Sequence, residues 1–282
     1  METGCIGLWA KATDYILDEW LLDALPTLYQ QDEIIYQYNQ GLWKRSLKSC
    51  TLFSPVWAIS DLMNIEIPMD TIKLWDSRSY DNWRIQDEGW YVSMWVDHIV
   101  KEYNNSELAK KYWKVAYYSI DLKDNELVKK VLDKRYTICT WFQWNSNYTN
   151  DKNKDWVLDW TDFWKATYWH AVNAIRWINT PSRIKDNYYQ TAKYNIYDVA
   201  HEFSEISCFY DRGYVITKVK EDNLEEIKRL NEIKTECYLL IEHLWKLRHL
   251  VNDENFRWIL HYTAEKIRKK ISDANEELKK YV

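Results

Sequence analysis

Three residues of this chain are of the types that nucleophilic catalysis by a thiol requires: Cys50, His170 and Asp186, in that order along the sequence. A thiolate attacks a carbonyl effectively when a base within hydrogen-bond reach takes its proton. That base in turn needs a third group to fix its tautomer. Gln40, ten residues before Cys50, offers a side-chain N–H that, with the Cys50 backbone amide, would bind the oxyanion of a tetrahedral intermediate. Asp198 and His201 are rivals for the orienting and base roles, although His201 does not open an apolar strand as His170 does. The plain alternative for Cys50 is a small apolar residue at the edge of a core, since free cysteine is among the most buried residue types.

The elements that must position these groups are readable from spacing. Leu52, Val56, Ile59, Leu62 and Met63 repeat at helical intervals, and Ser49 and Thr51 are types that cap a helix start. Cys50 therefore sits at the positive end of an expected helix, where unpaired N–H groups and the macrodipole favour thiolate. The run from Trp169 to Trp177 reads as a strand opened by His170, and Arg183-Ile184-Lys185-Asp186-Asn187-Tyr188 as the next one.

These local features resemble the papain-like cysteine peptidases, in which the nucleophile opens a long helix and histidine and Asn or Asp follow on successive strands. Three stretches carry the resemblance: Ser49-Cys50-Thr51, His170-Ala171-Val172, and Ile184-Lys185-Asp186-Asn187-Tyr188, where the family often has Ile-Lys-Asn-Ser-Trp. It covers roughly residues 35–218, as one such domain would. Gln40 is similar to the family's oxyanion-hole glutamine but stands farther from the nucleophile than usual, and the Cys-Gly-Ser-Cys-Trp signature of the best-known branch is absent. The resemblance implies an α+β fold with a helical half and an antiparallel β half, and hydrolysis of peptide substrates. An amidase or transglutaminase-like acyl transfer on the same triad is the nearest alternative.

Length and charge narrow the remaining classes. At 282 residues the chain can bury a full core, and a net charge of −5 gives no electrostatic case for nucleic acid or membrane partners. No apolar run is long enough to cross a bilayer, and residues 1–31 lack a basic start followed by a clean apolar stretch, so a cytoplasmic protein is expected. Five scattered cysteines without CxxC spacing argue against a disulfide framework or a zinc site.

The 18 Trp against 5 Gly are the compositional anomaly. Several tryptophans stand where backbone physics asks for glycine or a small residue: Trp156 in a tight loop, Trp169 before the histidine, Trp57 inside the nucleophile helix. The pattern suggests UGA codons read as Trp that the host reads as Gly. Mass spectrometry of the native protein decides this, and tryptophan at positions 156 and 169 would end the idea.

Residues 151–162 follow the spacing of an EF-hand calcium loop. Asp151, Asn153, Asp155, Asp159 and Asp162 supply oxygen donors, and Val157 offers its backbone carbonyl. Trp156 replaces the turn glycine and Asp162 the usual bidentate Glu, the two departures from the pattern. A Ca2+ ion here would brace the loop that enters the His170 strand.

The expected domains are a helical arm over residues 1–31, a papain-like domain over 32–218 and a helical hairpin over 219–282. The hairpin follows from apolar residues at 3–4 spacing on either side of Asn252-Asp253-Glu254-Asn255. Its stripe must be covered by the domain or by another copy, so a homo-oligomer and a purely non-catalytic assembly role stand as alternatives. Helices are expected near residues 8–31, 88–103 and 125–134, strands near 112–120, 136–140 and 193–199, and a glycine turn at Tyr210-Asp211-Arg212-Gly213-Tyr214.

Overall fold

A computed structural model describes residues 16–28, 50–82, 92–144, 157–158, 168–177, 182–186, 195–199, 212–219, 223–250 and 253–281. It is a mixed α+β fold in which helices open the chain, strands fill its middle and a helical pair closes it. Helix α1 (Glu19–Ala24) is capped by Asp18, whose carboxylate accepts the Leu21 N–H at 3.0 Å. Helix α2 (Cys50–Met63) is apolar almost all round: every residue except Asp61 is buried. Such a helix belongs in the middle of a core. Trp57, at a position where a small residue was expected, is fully buried there.

Helices α3 (Met69–Asn82), α4 (Val92–Asn104) and α5 (Glu107–Lys111) follow. α3 was not among the expected elements, although Ile72, Trp75, Asp76 and Ser79 are buried on it at 3–4 spacing. His98 on α4 is structural: its Nε2 lies 2.8 Å from the Trp75 carbonyl oxygen.

Seven strands make one sheet in the order β1-β7-β2-β4-β5-β6-β3. They are β1 (Lys114–Asp121), β2 (Ile138–Trp144), β3 (Val157–Leu158), β4 (Tyr168–Trp177), β5 (Ser182–Asp186), β6 (Asn195–Val199) and β7 (Arg212–Val219). All neighbours are antiparallel except β3 and β6. Because β1 and β2 both run antiparallel to β7 between them, the chain must cross over from one to the other. Helix α6 (Asn125–Asp133) makes that crossing.

Two expectations are corrected here. Of the arm expected to be helical over residues 8–31, the described residues 16–28 are helical only at Glu19–Ala24. Gly213 lies inside β7, paired with Ile120, and is not a turn residue. A Cβ at this position would stand 2.6 Å from Ile138 Cγ2 and 3.0 Å from Leu122 Cδ2, so glycine is required by close strand packing.

The expected hairpin is α7 (Leu224–Leu250) and α8 (Glu254–Leu278), the second capped by Asp253 through the Phe256 N–H at 3.0 Å. Its root is built into the same core as the N-terminal arm: Leu17, Leu21, Leu22 and Leu25 cluster with Ile227, Leu230, Ala274 and Leu278. Lys234, fully buried, places Nζ 3.0 Å from Asp18 Oδ2, and Asn275 Nδ2 donates to the same oxygen at 2.7 Å. The Leu17 N–H donates to the Ser119 carbonyl at 2.8 Å, and Ile16 bridges Ser119 on the outer edge of β1.

Candidate active site

Cys50 is the first residue of α2 and His170 the third of β4, so each candidate stands near the start of its element. The helix lies across β7, β2 and β4. What fixes it there is polar. Ser54, one turn into α2, places Oγ 2.5 Å from Asn173 Oδ1 and 3.4 Å from the Val172 carbonyl, and Asn173 Nδ2 donates back to the Ser54 carbonyl at 3.0 Å. All of these atoms are buried, so each bond removes a desolvation cost that would otherwise fall on the core.

The direction of the helix follows from a second pair of contacts. Ser54 also hydrogen-bonds Cys139 of β2, whereas Asp61, about two turns on, accepts from Thr137 Oγ1 at 3.5 Å, just before β2 begins. As α2 advances, β2 recedes; α2 therefore runs against β2 and along β4, which is antiparallel to β2. Stepping back from the Ser54–Asn173 contact leads about 6 Å up the helix to Cys50 and about 10 Å up the strand to His170. Both arrive at the same end of the interface. Asn173 and His170 leave the strand on opposite faces, so the imidazole stands on the face of the sheet away from Ser54 and α2.

Asp186 is the last residue of β5, directly after Lys185, which pairs with Asn173. That register sets position 186 beside Val172, about 7 Å along the strand from His170. The rival Asp198 pairs with Arg183, which is opposite Arg176, about 20 Å along β4 from His170. Of the two carboxylate positions, 186 is the neighbour. His201 and Gln40 lie outside the described residues.

Cys50 and His170 are both fully buried, which seals the sulfur and the ring from solvent. A second thiol, Cys139, is buried to the same degree. Burial pushes the Cys139 thiol up to about 12, with the Ser54 hydrogen bond pulling the other way and the Asp61 charge adding to the rise. Cys139 is thus inert at neutral pH, as its place inside a strand suggested. Burial likewise raises the Cys237 thiol on α7.

The sequence reading did not single out Ser54 or Asn173. The available signal was a polar residue four positions after Cys50 in an all-apolar helix, matched by Asn173 in the apolar run Ala171-Val172-Asn173-Ala174. Buried polar residues of this kind need each other.

Of the proposed calcium ligands, only Val157 is described, in β3, where it pairs with Asp198 of β6 while Leu158 pairs with Val199. Asp151, Asn153, Asp155, Asp159 and Asp162 lie outside the described residues. Among the described residues no group of three or more His, Cys, Asp or Glu is placed to hold a metal. No described helix is long and apolar enough to cross a membrane. Comparison with family models, curated proteins and solved structures finds no match for this chain.

Proposed function

We propose that this protein is a thiol-dependent peptidase of papain-like architecture. Cys50 is the nucleophile, His170 the base that takes its proton and later protonates the leaving amine, and Asp186 the group that orients the imidazole. Gln40 and the Cys50 backbone amide stabilise the oxyanion. The observation that supports this is the parallel course of α2 and β4, locked by Ser54 and Asn173, which sets Cys50 and His170 towards the same end of their two elements.

The test is Cys50→Ala, assayed for hydrolysis of unstructured peptides and for labelling by a peptidyl electrophile. Loss of labelling and a fall in kcat/KM of about 10³ or more is expected, with the far-UV circular dichroism unchanged. Hydrolysis that survives the substitution, or a wild-type thiol that no electrophile reaches, overturns the proposal.

The burial of both Cys50 and His170 favours a second reading, an assembly protein in which the thiol is only a packing residue. The labelling experiment separates the two.

We infer also that residues 151–162 hold a structural Ca2+. The donor set is all hard oxygen, and the extended pair Val157-Leu158, at loop positions seven and eight, is paired to β6. When bound, the ion supplies only cross-bracing of a loop. Calcium is expected to raise the melting temperature over the chelator-treated protein, and Asp151→Ala to abolish that rise; an unchanged melt in calcium rejects the site.

A further inference from the structure

The two ends of the hairpin differ. At its root Ile227, Leu230, Ala274 and Leu278 belong to the core. Towards its tip Leu240, Leu247 and Leu250 on α7 and Phe256 and Ile259 on α8 are 52, 47, 80, 46 and 50% exposed. The seam between the helices here runs through Leu244, Arg248, Leu260 and Ala264.

At about 100° per residue, Leu240 and Leu247 leave α7 roughly 60–80° from that seam, and Phe256 and Ile259 leave α8 roughly 60–120° from it. In an antiparallel pair these directions fall on the same flank. Each helix therefore contributes two large apolar side chains to one face. Trp258 and Tyr262, stacked with ring centroids 5.4 Å apart, point away on the outer side of α8.

The charged rim of this face has a polarity. Glu236 on α7 and Lys266 and Lys270 on α8 are all exposed and lie at its root end. Lys270 leaves α8 about 80° from Leu260, on the same side as Ile259. None of the three forms an ion pair with another described residue.

We propose that this flank docks a second copy of the chain, about a two-fold axis parallel to the hairpin, to form a four-helix bundle. That axis sets α7 of one copy against α8 of the other. Leu247 then meets Phe256 and Ile259, and Glu236 meets Lys266 and Lys270, each contact being made twice. A two-fold axis perpendicular to the hairpin would instead press the charged end of one copy onto the apolar tip of the other, which costs desolvation. The face is about 25 Å by 20 Å, on the order of 500 Å² in projection, in keeping with an interface of roughly 800 Å² of accessible surface per partner. This inference is independent of any chemistry at Cys50.

The experiment is sedimentation velocity of the full chain over a wide concentration series, with far-UV circular dichroism on every variant. The wild type is expected to dimerise. Leu247→Glu with Ile259→Glu, both on exposed positions, should weaken the dimer at least tenfold without loss of helix. Glu236→Lys should weaken it, and Glu236→Lys with Lys266→Glu and Lys270→Glu should restore it, a reversal that only self-association explains. Trp258→Ala, off the face, should leave it unchanged. A wild type that stays monomeric, a dimer indifferent to the two Glu substitutions, or a monomer captured by phosphatidylserine vesicles through this face overturns the proposal.

Discussion

Helix α2 and the tip of the hairpin are built from the same material and meet opposite fates. Both place large apolar side chains every three or four residues, yet α2 buries all but Asp61 while the tip exposes Leu247, Phe256 and Ile259. The difference is in neighbours. α2 has strands beneath it and α4 beside it, whereas the tip packs chiefly against its own second helix among the described residues. Helical periodicity says that a stripe must be covered; it does not say by what. Inside the body, complete cover also forces buried polar groups to find one another, as Ser54 and Asn173 do. Along the exposed flank of the hairpin, Glu236 and Lys266 meet solvent instead.

The contrast is broken most directly by paired truncations. Phe53→Ala in α2, where the ring is fully buried, should cost about 3–5 kcal/mol through lost transfer energy and a residual cavity. Leu247→Ala at the tip, measured on dilute protein, should stay within about 0.5 kcal/mol, because half of that side chain already meets water. Urea unfolding reads both. Equal losses would mean that the tip is packed in solution, and the comparison would fail.

How far the sequence anticipated this architecture depends on what each feature needs. The α2 helix, the α6 crossover, the β4 and β5 strands and the hairpin each announce themselves by period alone, and their spans agree with expectation to within a few residues. Gly213 shows where local reading stops. Its composition suggested a turn, but its reason for being glycine is a strand neighbour, Ile138, seventy-five positions away in the chain. α3 escaped notice because Asp70, Lys73, Asp76 and Arg78 dilute its apolar stripe. For the candidate site, residue types were legible and mutual placement was not. Nothing in the spacing of Cys50 and His170 says that α2 runs along β4; that follows only from Ser54 and Asp61 touching β2 and its approach in reverse order. The tryptophan anomaly stays a question for the native polypeptide, since Trp57 is accommodated in the core.

The hairpin's root supplies the finest comparison with its tip, because there a charge is buried where the tip leaves charges free. Burial lowers the Lys234 pKa, while the Asp18 carboxylate 3.0 Å away pulls the other way. Asp18→Asn removes the counter-charge and leaves an ammonium in an apolar setting, so a loss of about 3 kcal/mol is expected, towards the low end for a broken buried pair because Asp18 is partly exposed. Adding Lys234→Met, which removes the stranded charge and keeps the volume, should recover most of it. The sign with pH follows from linkage. In the variant the folded Lys234 pKa lies still farther below the ordinary 10.5, so between those two values the unfolded chain binds the extra proton, and stability rises with pH across that window. Wild type, with Asp18 in place, should show a smaller rise. A variant as stable as wild type at neutral pH, with no steeper recovery in alkali, would mean that the pair only decorates a root held by leucines alone.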